Sequence, residues 1–492
     1  MKKIILISTF LIATGPVAFS QLKHDYVWTI GYGKITPSPS GYPFGGVVMD
    51  FNDSPLSLTL TDYIIDRPKA TISDKDGCLV AYTDGCRIIN RKHKLMLNGD
   101  TLNPGEVFNG FCAIVSYPLW QPTIFLPKPG SDSLYYLFHI RDDDYFHDPM
   151  NLMYSILDAT GDGGDGIVIS KNNPILSDSI YLGDYVTATR HGNGRDWWIV
   201  VPRRFSNGIH VSLLTPEGVE YKGTQNVFSE IDSAFWGSQA AFSQDGNKYF
   251  RNSQDGLLML DFDRCNGTFS RPIYLDWDSN PFGGYGTATS PNSRFLYLTS
   301  GGMIQQYDLW ASDLASSMVV VAEYDGTLSP HPTNFFQMMP GPDGRIYVIT
   351  SYSNNVLHVI HNPDEPGIAC NVEQHAITLP ARTIYFVPNF ANYNLEALDP
   401  PCNTSGGTAH ELSDQRVIKM WPNPAVEELH LKIAGEIQYI MIFDATGREV
   451  NPVSQIEYEA QTVIDVRHLP KGLYYIVLRT KNKIWNGKFV RG

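Results

Sequence analysis

The chain has 492 residues and a formal net charge of -14, with aromatics at 12%, charged residues at 18%, 42 Gly and 32 Pro. That length exceeds what one core usually organises, so two or more domains are expected, and the aromatic, turn-rich composition favours β-structure over helix. The acidic balance, with no clustered Lys or Arg, excludes a nucleic-acid grip and an anionic membrane surface as partners.

At the N-terminus Lys2 and Lys3 precede an apolar run from Ile4 to Ala13, and Ala18-Phe19-Ser20 offers small residues before Gln21. Residues 1–20 read as an export signal. The run is short for a membrane span, and no other stretch reaches its length, so no membrane-spanning segment is expected in the mature chain. No cysteine follows the cleavage position, which argues against a lipoprotein anchor. Six cysteines remain, Cys78, Cys86, Cys112, Cys265, Cys370 and Cys402. An even count in an exported protein permits disulfides, and the absence of C-x-x-C spacing speaks against zinc; the pairing stays open.

From residue 21 to 398 one phrase recurs: a polar Asp, Asn or Gly turn, a strand, a second break and another strand. Clear copies are "SDKDGCLVAYTDGCRIIN" (73–90), "FSQDGNKYFRNSQDGLLMLDFD" (242–263), "SPNSRFLYLTSGGMIQQYDL" (290–309) and "PGPDGRIYVITSYSNNVLHVI" (340–360). Divergent copies occupy 127–140 and 191–214. Each reads as a hairpin, and a lone hairpin is marginal in water. Six units in series are best satisfied by radial packing of four-stranded sheets, so the expected fold class is all-β: a β-propeller of about seven blades, with six or eight open. The leftover stretches Tyr26 to Leu60 and Thr383 to Leu395 are expected to share a closing blade.

Two clusters within the repeats invite a chemical reading. "RHGNGRDWW" (190–198) offers His191, Arg195 and Asp196, residue types used for proton transfer and anion binding, on a turn that equally well needs only itself. "DATGDGGDG" (158–166) presents Asp158, Asp162 and Asp165, a candidate calcium loop without EF-hand spacing that also reads as a plain hairpin tip. No other cofactor is expected, and no G-x-S-x-G elbow, H-E-x-x-H helix or phosphate-binding loop is present.

Residues 399–415, "DPPCNTSGGTAHELSDQ", have the composition of a linker. Beyond it, in 416–492, strands recur at short intervals (417–420, 428–433, 439–443, 462–466, 473–479, 484–490), which suggests a small antiparallel, Ig-like sandwich. In "WPNPAVEELHLKI" Pro422 and Pro424 forbid helix and push Trp421 and Asn423 toward extended geometry. Leu429, Leu431 and Ile433 then share one strand face.

The motifs "WPNP", "IMIFDATGREV", "IDVRHLPKGLYYIVLRT" and the terminal "KFVRG" resemble, in order and spacing, the C-terminal sorting domain of type IX secretion cargo. On that resemblance Pro422, Asn423, Pro424, Gly447, Arg448, Leu469, Pro470, Gly472, Tyr474 and Lys488 carry the sorting signal, with Trp421 where the family usually has Tyr. The resemblance implies recognition by an outer-membrane translocon of a Gram-negative cell, then release or attachment at its surface. The region 72–393 resembles propeller-like regions of secreted proteins with this same tail, a group that implies location and fold but no residue roles.

The expected function is therefore a non-catalytic, exported binding or adhesion module that takes a glycan or surface protein at one end of its central channel. A secreted hydrolase or lyase acting on polysaccharide or peptide is the rival expectation, and a surface-layer spacer the third.

Overall fold

A computed structural model of the chain describes residues 21–39, 41–142, 151–177, 182, 184–203, 207–227, 239–253, 256–276, 284–402, 419–432, 437–444, 450, 461–480 and 483–492. The chain divides into two compact units, Met1–Cys402 and Asn403–Gly492. The expected export signal lies outside the described residues.

The first unit is a β-propeller with seven blades among the described residues. The six sequence repeats build blades 2 to 7. Blade 2 is Ala70–Ser73, Leu79–Thr83 and Ile88–Asn90. Blade 3 is Thr123–Pro127, Leu134–Arg141, Asn151–Asp158 and Ile167–Ser177. Blade 4 is Thr187–Arg190, Trp197–Pro202, Gly208–Thr215 and Gly218–Asn226. Blade 5 is Gln239–Phe242, Lys248–Asn252, Gly256–Asp263 and Thr268–Asp276. Blade 6 is Thr287–Thr289, Phe295–Thr299, Met303–Asp308 and Val319–Glu323. Blade 7 is Phe335–Pro340, Ile346–Thr350, Asn354–Ile360 and Val372–Thr383.

Within each blade the strands pair antiparallel in sequence order, and the first strand is innermost. The first turn of each repeat is fixed by short polar side chains: in blade 5, Ser243 Oγ donates to Asp245 Oδ1 at 2.5 Å, and the same oxygen accepts from the Asn247 amide at 3.1 Å. These turns gather on one side of the ring, here called the turn face; the opposite side is the mouth. Strands such as Phe295–Thr299 are buried along their whole length because a neighbouring blade covers each face. Leu257, Phe250, Leu296 and Leu298, for example, interlock between blades 5 and 6.

Tyr26 to Leu60 does not share a closing blade with Thr383 to Leu395. It forms its own three-stranded blade 1, Val27–Thr36, Phe44–Asp50 and Ser57–Thr61, joined to blade 7 by a single parallel pair, Phe44 with Arg382. Its innermost strand runs opposite to that of blade 2: the Ser73 amide donates to His24 O, Thr29 Oγ1 meets Thr71 Oγ1 at 2.7 Å, and the Arg67 amide donates to Gly31 O. Trp28, Val47 and Met49 pack against Tyr347 and Leu357 of blade 7, while Tyr63 packs with Tyr82 and Ile89 of blade 2.

Thr383 to Leu395 instead threads the axis. After blade 7 ends at Thr383, Tyr385 takes a left-handed φ of 61° and turns the chain inward. Pro388 cannot donate a ladder bond, and the Asn residues that follow send their side chains to the inner strands. Asn389 Nδ2 donates to Thr123 O (2.9 Å) and Val186 O (2.8 Å), its Oδ1 accepts from Gln121 Nε2 (2.9 Å), and its amide donates to Lys69 O (2.9 Å). Asn392 Nδ2 reaches Gln244 O at 2.7 Å, and Tyr393 Oη reaches Phe125 O at 2.9 Å. One extended segment thus ties blades 2, 3, 4 and 5 together.

Two disulfides form, Cys86–Cys112 and Cys265–Cys402; Cys78 is an exposed thiol and Cys370 a buried one. Cys402 falls within the stretch whose composition suggests a linker, and its bond fixes residues 399–402 to the first unit.

A buried relay lies between blades 2 and 3. His139 Nδ1 pairs with Asn103 Oδ1 at 2.6 Å and His139 Nε2 with Ser155 Oγ at 3.0 Å. The order Ser–His–Asn is that of a nucleophilic triad, but all three are fully buried, so no substrate reaches the hydroxyl and the relay acts as a staple. Burial drives the His139 imidazole down to about 3 and, with help from His375, His358 down to about 4. Both are depressed bases, so their stabilising contribution is full above the ordinary 6.5 and is lost as pH falls toward 3 to 4. Burial pushes the Asp25 carboxyl up to about 7 and that of Asp84 up to about 6. These act in the opposite sense: their contribution is full below 3.8 and is lost as pH rises through 6 to 7. His139→Ala is expected to cost about 3 kcal/mol at pH 7, from a cavity plus two orphaned polar groups. Denaturant melts at pH 7 and pH 4.5 check this, because the gap between wild type and variant should shrink at the lower pH; a gap that widens would refute the assignment.

The second unit is a sandwich of two three-stranded sheets among the described residues. One holds Lys419–Trp421, Glu428–Lys432 and Gln461–Asp465; the other holds Ile437–Asp444, Gly472–Thr480 and Lys483–Arg491. Leu429 and Leu431 alternate into a core with Ile440, Ile442, Val466, Leu469, Ile476 and Phe489. Ile433 lies outside the described residues.

Candidate functional site: an aromatic mouth over a plugged channel

The turn at 191–196 is closed upon itself. Arg195 donates from Nε to Asp196 Oδ1 (2.7 Å) and from Nη2 to Oδ2 (3.0 Å), and Asn193 Nδ2 donates to Oδ2 (2.8 Å). Burial pushes the Asp196 carboxyl up, but those hydrogen bonds outweigh it and hold its pKa below the ordinary value. His191 accepts from the Asn193 amide at Nδ1 (2.9 Å) and stacks on Trp198 at 5.3 Å, and burial lowers its pKa. The structure brings His191, Arg195 and Asp196 together in one hairpin tip, and the hydrogen bonds of the two charged partners point back into that tip.

What the tip faces is the exit of the axial segment. A Cβ on Gly192 would overlap the Cys402 Sγ and approach Leu398 Cδ1 at 2.8 Å, and one on Gly194, at φ 70°, would meet the Ala397 amide nitrogen at 2.6 Å. Only glycine leaves the segment room to pass. Arg190 donates to Tyr393 O (3.0 Å), Arg264 donates to Glu396 O (2.6 Å), and the Leu398 amide donates to Gly192 O. Leu22 and Asn394 exchange two hydrogen bonds beside them. The cluster is a collar around the plug.

The carboxyls of the 158–166 loop are dispersed. Asp158 Oδ1 accepts from the Thr160 amide (2.9 Å) and hydroxyl (2.7 Å), while Asp165 pairs with Lys92 at 2.8 Å and Arg91 at 3.9 Å. Asp162 is not joined to them in a ligand set; among the described residues no three His, Cys, Asp or Glu side chains are grouped to hold a metal.

The mouth has a different texture. Trp120, which leads into blade 3, lies 5.7 Å from Phe336, 5.7 Å from Tyr385 and 5.6 Å from Phe386 by ring centroid. Tyr285 lies 4.8 Å from Phe336, and Tyr385 5.5 Å from it. Burial foremost, with Tyr352 behind it, raises the Tyr285 phenol. Burial likewise raises that of Tyr32, which also feels Asp66 and Tyr385. Trp120, Tyr285, Tyr385 and Tyr32 are half-buried, and Tyr352 is 46% exposed. The floor is Phe386, with the Lys69 ammonium 3.4 Å from its ring centroid. Lys69 is itself buried, donates to Leu119 O at 2.8 Å, and is held well below its ordinary pKa by burial first and Arg67 second. Arg67 sits over Tyr32 at 5.7 Å with Asp66 at 3.7 Å. The result is a dish of ring faces whose nearest cations are occupied.

These residues come from blades 1 and 7, from the segments leading into blades 2, 3 and 6, and from the plug, so no local motif announces them. The available signal was the density of aromatics at the strand entries and in "TIYFVPNFANY" (383–393).

In the second unit Asn423 Oδ1 accepts from the Val490 amide (2.8 Å), and the Ala425 amide donates to Val490 O (2.8 Å). The segment with Pro422 and Pro424 is thereby bound to the last strand. Leu469 is buried, and Tyr474 Oη donates to Pro470 O (2.7 Å) across the turn that leads to Gly472. Lys488 is exposed on the last strand. Gly447 and Arg448 lie outside the described residues.

Residues 419–491 match the family described as the secretion system C-terminal sorting domain. No curated protein matches the chain. Among solved structures it is similar to a provisional 6-phosphogluconolactonase from Bacteroides uniformis, at 14% identity over 73% of this chain and 98% of that one, with a TM-score of 0.43. It is similar to a protein of unknown function from Desulfotomaculum acetoxidans, at 13% identity over 74% and 99% with a TM-score of 0.41. It is also similar to the β-propeller domain of Cps50 from Myceliophteria thermophila, at 9% identity over 66% and 96% with a TM-score of 0.36. The sorting domain supports type IX secretion cargo, bound for the cell surface or the medium.

Proposed function

We propose that this exported propeller is a non-catalytic module that binds a glycan at its mouth. The carrying observation is the cluster of half-buried rings that Trp120, Tyr285 and Tyr385 form around Phe336 at the mouth. Ring faces with a polar edge suit the alternating C–H and O–H surfaces of a sugar, and they cost little conformational entropy to present. Two further observations favour binding over turnover. The axis beneath the dish is occupied by the chain's own segment, and the Ser155–His139–Asn103 relay has no solvent access. In the same reading residues 1–20 are the first address label, and the translocon of a Gram-negative envelope is the partner of the tail.

The test is a glycan array followed by titration of the best ligand against wild type, Trp120→Ala and Tyr385→Ala. Each substitution is expected to weaken binding about tenfold or more, the scale of a buried aromatic anchor, with unchanged far-UV dichroism. Silence on the array, or variants that bind as well as wild type, would remove the mouth from consideration as a glycan site.

A further inference from the structure

The axial segment leaves the ring at a point where three noncovalent holds precede a covalent one. Arg190 grips Tyr393 O, Arg264 grips Glu396 O, the Leu398 amide bonds Gly192 O, and Cys402 is then bonded to Cys265 in the last turn of blade 5. The first compact unit ends at that cysteine. The sequence separation of the pair is 137, and the loop it closes contains the last strand of blade 5, all of blades 6 and 7, the plug, and the mouth residues Tyr285, Phe336, Tyr352 and Tyr385.

We infer that Cys265–Cys402 is a load bypass, which keeps the plug and the mouth unstretched when the chain beyond Cys402 is pulled. Tension arriving at Cys402 has two routes: through the disulfide to blade 5, or back along 401 to 385 into the plug. A covalent route does not yield at forces that break hydrogen bonds. The plug's bonds are spaced along its path and would otherwise be loaded one after another, starting with the Leu398–Gly192 bond and ending at Tyr385 in the mouth. The inference rests on the proposed reading of the tail as an address label engaged by other machinery, which would load the chain beyond Cys402.

The experiment is single-molecule stretching of the full chain between handles at the mature N-terminus and at Gly492. In the oxidised protein no event should release chain from the 266–401 segment, so complete unfolding should fall short of that of Cys265→Ser/Cys402→Ser, which keeps Cys86–Cys112, by about 480 Å, at roughly 3.5 Å per residue. In Cys265→Ser/Cys402→Ser the first event of the propeller should be extraction of the plug, followed by blade 7, ahead of any event in blades 1 to 4. Should that variant fail to fold, wild type folded under oxidising conditions and then reduced in the instrument supplies the same comparison. An identical first event, in force and in released length, with and without the disulfide would overturn the inference.

Discussion

Replacing Asn389 by leucine should destabilise the propeller by about 4 kcal/mol, far more than a typical single substitution. The side chain is 4% exposed and makes three hydrogen bonds, two to the carbonyls of Thr123 and Val186 and one from Gln121. Leucine keeps the branched outline, but its methyls are too large to sit at hydrogen-bond distance from the carbonyls, so overpacking adds to the polar loss. Each carbonyl left buried without a donor costs about 1–3 kcal/mol, whereas Gln121 Nε2 keeps its second acceptor, Ala240 O at 2.9 Å, and suffers less. Asn392→Ala removes two bonds from a half-buried site, Nδ2 to Gln244 O and the Asn394 amide to Oδ1, and is expected to cost about 2 kcal/mol. Urea unfolding of both variants checks the ranking. Equal midpoints for Asn389→Leu and wild type would show that the axial segment is a passenger and not a structural element.

That ranking also marks where the sequence was readable. Blades 2 to 7 were legible because each repeats an Asp, Asn or Ser turn beside period-two strands, and those are local signals. The sandwich strands were legible for the same reason. Blade 1 was not, because its innermost strand runs opposite to that of blade 2 and nothing in Tyr26 to Leu60 encodes direction. The plug was misread as strand because "VPNFANYNL" has strand-like apolar residues, while its hydrogen bonds are made by Asn side chains to residues up to 268 positions away. The Cys265–Cys402 pairing is equally non-local. At 190–198 the pairing of Arg195 with Asp196 is local and was open to the sequence, but the placing of Gly192 and Gly194 against the plug depends on the axial segment. The mouth combines Trp120, Tyr285, Phe336 and Tyr385, whose proximity exists only once the ring closes.

Removing residues 419–492 should leave a folded propeller that no longer leaves the cell. The two outcomes are separable because each unit is compact by itself, and among the described residues each has a buried cluster of its own. The thermal midpoint of the first unit is therefore expected to be unchanged. Export is expected to require the tail as a formed sandwich, in which Asn423 caps the Val490 amide and Tyr474 braces the turn at Pro470. A double variant, Asn423→Ala with Tyr474→Phe, removes two hydrogen bonds at about 1 kcal/mol each and should reduce export in proportion to the population unfolded. Fractionation of cells followed by immunoblotting reads all three proteins. Full-length chain should reach the surface or the medium, the double variant less of it, and the truncated chain should accumulate inside the envelope with intact Cys265–Cys402. Recovery of the truncated chain outside the cell at the wild-type level would show that the sorting domain is not its route.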